Sequence, residues 1–193
     1  MKILGCLSLI FYLAGSVATA QRSITVEPNH STVAFSVPIA GGVTNVFGRF
    51  NEFDLKMRLD TTDFTKSSLR FIIEVASIDT GIPDRDDHLR TADFFDAEQY
   101  PQIVFTSTEI SLISDSLYTI SGDLQMHGIS VPTTWPFRLT EHTGKNIAAE
   151  IRTTLDRMQF GVGADYVHSS MVDFIGEEIE VLINFWTKKD KRE

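Results

Sequence analysis

Arg85, Asp86, Asp87, His88 and Arg90 fall within one six-residue stretch. Such a set can serve as an acid–base cluster, as a clamp on the polar head of a ligand, or as a connector that pairs its charges internally. Nothing elsewhere supplies a partner for catalysis. The serines lack a Gly-x-Ser-x-Gly setting, there is no glycine-rich phosphate loop, and the scattered carboxylates define no glycosidase pair. His30, His88, His127, His142 and His168 share no short chelating spacing, and the single cysteine is Cys6. No catalytic residue, metal site or cofactor is therefore expected, and the clamp and the connector readings of this stretch both stay open.

The elements that must hold them are strands. Apolar residues recur at alternate positions: Val33, Phe35 and Val37; Phe53, Leu55, Met57 and Leu59; Leu69, Phe71, Ile73 and Val75. The pattern returns in Ile103 and Phe105; Tyr118, Ile120, Leu124 and Met126; Val131, Trp135, Phe137 and Leu139; Ile147, Ala149 and Ile151; and Ile179, Val181, Ile183 and Phe185. Residues such as Asp54, Lys56, Arg70 and Glu150 lie between them, so one face is dry and the other wet. Turn signals stand at Gly41-Gly42, Asp60 to Asp63, Ser114-Asp115, His127-Gly128 and Thr143-Gly144. Gly48, Gly122 and Gly161 mark bends or places of close backbone approach. About eight antiparallel strands result, and alternation alone allows either an up-and-down barrel or a sandwich.

One stretch breaks the pattern. Asp84 can cap a helical turn reaching Leu89 or Arg90, and Pro101 keeps Tyr100 out of helical geometry. A short helical connector around 84–97 is predicted between strands, with Phe94 and Phe95 near its end.

The first twenty residues look like a secretory signal peptide: Lys2, an apolar run from Ile3 to Val17, and Ala18-Thr19-Ala20 ahead of Gln21. The alternative is an uncleaved membrane anchor, for which the run is short. Residues 21–193 then form one domain, delivered to the periplasm or secreted, without disulfides and without stable membrane insertion. A net charge of −9 argues against nucleic acid as partner. The tail Lys188-Lys189-Asp190-Lys191-Arg192 reads as a solvated terminus.

Several motifs occur in a specific order. Asn29-His30-Ser31-Thr32-Val33-Ala34-Phe35 is followed by Gly48-Arg49-Phe50 with Phe53, then by Ser77-Ile78-Asp79-Thr80-Gly81, Asp93-Phe94-Phe95-Asp96 and Tyr100-Pro101. Gly122-Asp123-Leu124, His127-Gly128-Ile129-Ser130 and Arg157-Met158-Gln159-Phe160-Gly161 complete the series. Over almost all of the chain after the leader, this order resembles the YceI-like family. Departures are Pro38-Ile39-Ala40 after the first strand, Leu124-Gln125 in the middle hairpin, and Glu27 ahead of His30.

The resemblance implies an all-β, antiparallel, eight-stranded lipocalin-like barrel that binds a long isoprenoid or similar amphiphile, with two copies pairing in some members. Under it, Phe35, Phe71, Ile73, Phe105, Trp135, Phe137 and Phe185 are candidates to line a cavity. His30, Arg49, Arg85, His88, Phe94, Phe95 and Arg157 are candidates for its rim or gate. Two other readings remain open: an enzyme acting on a lipid-like substrate, and a structural β-domain whose aromatic side chains fill a solid core.

Overall fold

The structure, a computed structural model, describes residues 21–142, 146–169, 171 and 173–189. The expected signal peptide, the Thr143-Gly144 turn and the tail from Asp190 lie outside the described residues.

Among the described residues, eleven strand segments make one antiparallel sheet. They are β1 (Gln21–Val26), β2 (Thr32–Ile39), β3 (Thr44–Phe50), β4 (Phe53–Asp60), β5 (Ser68–Glu74), β6 (Ile78–Asp79), β7 (Gln102–Ser114), β8 (Leu117–Met126), β9 (Ile129–His142), β10 (Ile147–Asp156) and β11 (Glu178–Lys189), accompanied by the α-helix α1 (Pro83–Leu89). β1 with β2, β3 with β4, and β5 with β6 are each one long strand interrupted partway. The sheet thus has eight strands. Each neighbours the next in sequence, and β11 closes the circle by pairing with β1 through Val26 and Thr187 and with β2 through Val33 and Ile183. This is the expected closed eight-stranded barrel, and not a sandwich.

The interruptions have a cause in the alternation itself. Buried residues fall on even positions in β1 (Ile24, Val26) and include odd Val33 in β2; they pass from even Phe50 in β3 to odd Leu55, Met57 and Leu59 in β4. A strand whose inward set changes parity cannot stay paired through the change. A 3₁₀ turn at Pro28–His30 and a break at Asn51-Glu52 take up the odd residue. In β7 a bulge between Ser107 and Glu109 does the same, so Ile103 and Phe105 are followed inward by Ile110.

The barrel has two unlike ends. At one, Phe64 in the β4–β5 connection packs edge-on against Tyr118 at 5.1 Å and tilts against Phe137 at 5.9 Å, closing the end with aromatic rings. The opposite end carries the β2–β3 turn, the connector from Thr80 to Pro101, the β8–β9 turn and the described residues between β10 and β11. The β8–β9 turn is tight, with His127 at φ 51° and Gly128 at φ 77°, the pair of left-handed residues that a two-residue hairpin needs.

A short helical connector stands between β6 and β7, as expected. α1 ends at Leu89, and hydrogen-bonded turns carry the chain from Arg90 to Tyr100. Asp84 is not its cap: Pro83 occupies the first helical position, leaving the capping place to Ile82, which has no side-chain acceptor. Asp86 instead turns back, accepting from the amide of Thr80 at 2.8 Å and from its hydroxyl.

Candidate functional site

Between the aromatic plug and α1 the barrel encloses an apolar cavity of ≈ 440 Å³, within the range of small-molecule sites. Inward residues of β2, β5, β7, β9 and β11 form its wall. Of the candidates for its wall, Phe35, Phe71, Ile73, Phe105, Trp135 and Phe185 all line it. Phe105 stacks on Trp135 at 5.0 Å, a pairing that fixes both rings in the wall.

Phe137 does not line it. It is two residues further along β9 than Trp135 and stacks on Tyr118 at 5.4 Å, which makes it part of the plug. Alternation tells which residues point inward but not how deep along the axis each one lies.

The rim candidates separate into two groups. His30 sits on the outward 3₁₀ turn between β1 and β2, where its ring meets the edge of Trp186 at 5.3 Å. Arg49 is on the outer face of β3, between inward Gly48 and Phe50, and pairs with Asp79 at 3.3 Å. The Gly81 amide, Asn51 and Arg49 together hold the Asp79 carboxyl below the usual range. Neither His30 nor Arg49 touches the cavity.

Arg85, His88, Phe94, Phe95 and Arg157 do line it. Arg85 and His88 are three residues apart on α1 and therefore share a face. Arg85 is oriented by Thr80, its Nε donating to the hydroxyl at 2.7 Å and its Nη2 to the carbonyl at 2.9 Å. His88 Nε2 lies 2.9 Å from Asp93 Oδ2, and its ring stands edge-on to Phe94 at 5.1 Å and to Tyr166 at 5.3 Å. Phe95 meets Phe50 edge-on at 6.1 Å. The two phenylalanines thus seal different sides of the mouth.

Arg90 has another task. Its Nε donates to the Ala76 carbonyl at 2.9 Å, Nη2 to that of Ile78 at 3.0 Å, and Nη1 to Asp87 at 2.7 Å. It fastens the end of α1 to the strand before it.

Arg157 binds backbone alone. Nε donates to Gly176 at 3.0 Å, Nη1 to Val162 and Gly163 at 2.7 and 3.0 Å, and Nη2 to Ile175 at 3.1 Å. The guanidinium staples 162–163 to 175–176 across the mouth. Burial pulls its pKa below the ordinary arginine value, with Glu177 and Asp156 acting the other way.

Sequence reasoning missed Tyr166, His168, Phe174 and Ile175, which complete the mouth. They lie in an irregular segment without period-two alternation. The available signal was the arginine of Arg157-x-x-Phe-Gly, which needs nearby carbonyls once buried. Among the described residues no group of three His, Cys, Asp or Glu side chains is arranged to hold a metal ion, and no helix is long and apolar enough to cross a membrane.

Comparison with known proteins matches the YceI-like domain over residues 24–186. A UPF0312 protein of Yersinia enterocolitica is 31% identical over 131 residues, covering 68% of this chain and 67% of its own. Protein YceI of Escherichia coli O157:H7 is 29% identical over 180 residues, covering 91% and 90%. Among solved structures, Burkholderia cenocepacia BcnA superposes with a TM-score of 0.74 at 23% identity, over 83% of this chain and 98% of that one. A polyisoprenoid binding domain from Saccharophagus degradans, implicated in plant cell wall breakdown, superposes with a TM-score of 0.71 at 15% identity, over 86% and 98%. At these identities the structures establish the fold. With 24–186 matched, the chain belongs to the YceI-like domain family.

Proposed function

We propose that this protein is an exported carrier that takes one long isoprenoid or similar lipid-like chain into its barrel. The observation that carries this reading is the apolar cavity of ≈ 440 Å³ enclosed between the aromatic plug and α1. A barrel meant only for stability would fill that space, because an unfilled apolar cavity forfeits packing. Each buried methylene contributes roughly 0.8 kcal/mol, so a chain of about twenty carbons gains a gross ~16 kcal/mol. Against it stand association costs of about 4–15 kcal/mol, so micromolar binding is within reach without a strong polar contact. The polyisoprenoid-binding neighbour of the same fold supports a ligand of this class.

Binding is favoured over turnover by the polyisoprenoid-binding neighbour of the same fold and by a wall that is apolar apart from Arg85, His88, Arg157, Tyr166 and His168. Delivery to the periplasm rests on the leader over residues 1–20. A homodimer is part of this reading, and light scattering of the purified protein tests it.

The deciding experiment is native mass spectrometry of the exported protein, followed by titration of the delipidated form with a long-chain fluorescent probe. A co-purifying adduct of lipid mass and saturable uptake are expected. Absence of saturable uptake across isoprenoid and acyl probes would overturn the carrier reading.

A further inference from the structure

The charge of the cavity wall runs against the charge of the chain. The sequence carries 26 acidic and 17 basic residues, yet the wall takes Arg85, His88, Arg157 and His168, and among its described residues no aspartate or glutamate. With Tyr166, these are its polar side chains. All come from α1 and the segment after β10, which meet where Tyr166 packs against His88 at 5.3 Å. A bound chain would therefore have one polar end, beside α1, with its tail running toward Phe105 and Trp135.

Two arginines stand there in different states. Arg157 spends its Nε, Nη1 and Nη2 on four backbone carbonyls and is committed to the fold. Arg85 is held at one edge only: Nε and Nη2 engage Thr80, and Nη1 makes no hydrogen bond to the described residues. None of their carboxylates forms an ion pair with Arg85. Asp86, its neighbour on α1, reaches it only through the Thr80 hydroxyl. A guanidinium fixed in direction, with N–H donors to spare beside an apolar space, suits an acceptor carrying negative charge.

Resting on the carrier reading, we propose that the ligand is an acidic amphiphile, a long chain ending in a carboxylate or a phosphate, and that Arg85 selects its anionic head. A neutral alcohol of the same chain would gain the same apolar burial and lose the charge-assisted contact. A cationic head would face two arginines with no counter-charge in the wall.

The test titrates delipidated protein at pH 7 with two matched pairs of probes: hexadecanoic acid against 1-hexadecanol, and geranylgeranyl monophosphate against geranylgeraniol. In at least one pair the acid should bind about tenfold tighter or more, the factor expected of one charge-assisted hydrogen bond; the pair with the wider gap distinguishes carboxylate from phosphate. Arg85→Gln should close the gap by weakening the acid alone, and Arg85→Lys should retain most of it. Equal binding of acid and alcohol, or a gap that survives Arg85→Gln, overturns the assignment and leaves the carrier reading standing. Uptake of none of the four probes overturns both. Should Arg85→Gln fail to fold, added salt must weaken the acid and spare the alcohol in the unaltered protein; equal salt responses overturn the assignment.

Discussion

Gly48 and Phe35 are paired across the β2–β3 hairpin, and the Phe35 ring occupies the place of a Gly48 side chain: a Cβ built there would lie 2.3 Å from Phe35 Cζ. Phe35 lines the cavity, so this glycine sets where part of the wall stands. Gly122 lies under the Phe105 ring in the same way, but its Cβ would also meet the Thr106 carbonyl at 2.3 Å. A ring can swing aside, whereas backbone in a paired strand cannot move without its neighbours. Gly48→Ala is expected to cost about 1–3 kcal/mol as an overpacking change and to alter probe affinity. Gly122→Ala is expected to cost more. Chemical denaturation of both variants with probe titration of the first checks this, and equal losses would show that the ring at position 35 is not free to yield.

Depth along the barrel axis gives a second prediction. Phe105→Ala and Phe137→Ala each remove a buried ring and should each cost roughly 3–5 kcal/mol. Only Phe105 borders the cavity, so only Phe105→Ala should change the affinity or preferred length of a bound chain. Parallel unfolding and titration series decide it. A ligand effect at Phe137 as large as at Phe105 would mean that the space extends past the Phe64 plug.

That contrast also shows what the sequence could and could not convey. Alternation placed the inward residues because strand geometry enforces period two. It carried nothing about axial position, so Trp135 and Phe137 looked equivalent although one borders the cavity and the other closes the barrel. Arg49 was legible as an outward residue, since it stands between inward Gly48 and Phe50, but its place in a resembling motif outweighed the pattern. Tyr166 and His168 left no trace in periodicity, because their positions follow from backbone carbonyls gathered by Arg157 and not from strand pairing. The closed barrel was legible only with the family resemblance; pattern alone fits two architectures.

The Arg157 staple predicts a linked loss. Arg157→Lys offers three donors on a point charge where four carbonyls are now met by a planar fork. Stability should fall by about 2–4 kcal/mol, the range for losing several bonds to a charged donor that are not additive. Loosening 162–163 from 175–176 should also speed ligand release. Stopped-flow displacement and thermal unfolding read the two effects. Faster release with an unchanged midpoint would assign Arg157 to the ligand and not to the fold.

Acid should weaken the end of the barrel that Asp60 organises. The buried Asp60 carboxylate accepts from the Thr62 hydroxyl at 2.7 Å, the Thr62 amide at 2.9 Å and the Asp63 amide at 3.0 Å, and these bonds hold its pKa below the unfolded value of 3.8. A carboxyl depressed in the folded state binds fewer protons than when unfolded. Its stabilisation is therefore complete above the unfolded pKa and is lost as the pH falls through the folded one. Asp60→Asn keeps an acceptor oxygen and removes the charge. The stability gap between the two proteins should be constant from pH 7 to about 5 and shrink below the unfolded pKa of 3.8. Thermal midpoints across that range test it, and a gap that widens in acid would reverse the sign.

The connector at the mouth holds both anchors of α1 and a contact across the opening, and variants should separate the two in kinetics. Arg90 ties α1 to the Ala76 and Ile78 carbonyls, and Asp86 ties it to Thr80. Together they anchor both ends of a helix of seven residues, Pro83–Leu89, too short to be stable alone. His88 lies between, held by Asp93 and by the edges of Phe94 and Tyr166. Because the His88–Asp93 pair is partly exposed it contributes little to stability, about 0–1 kcal/mol. Arg90→Ala should therefore lower the thermal midpoint and raise the ligand off-rate together, since unfastening α1 unseats both Phe94 and Phe95. His88→Ala should raise the off-rate with the midpoint nearly unchanged, because it removes a contact across the mouth while leaving both anchors in place. If His88→Ala instead lowers the midpoint as far as Arg90→Ala and leaves release untouched, the connector is a rigid cap and ligand leaves by another path.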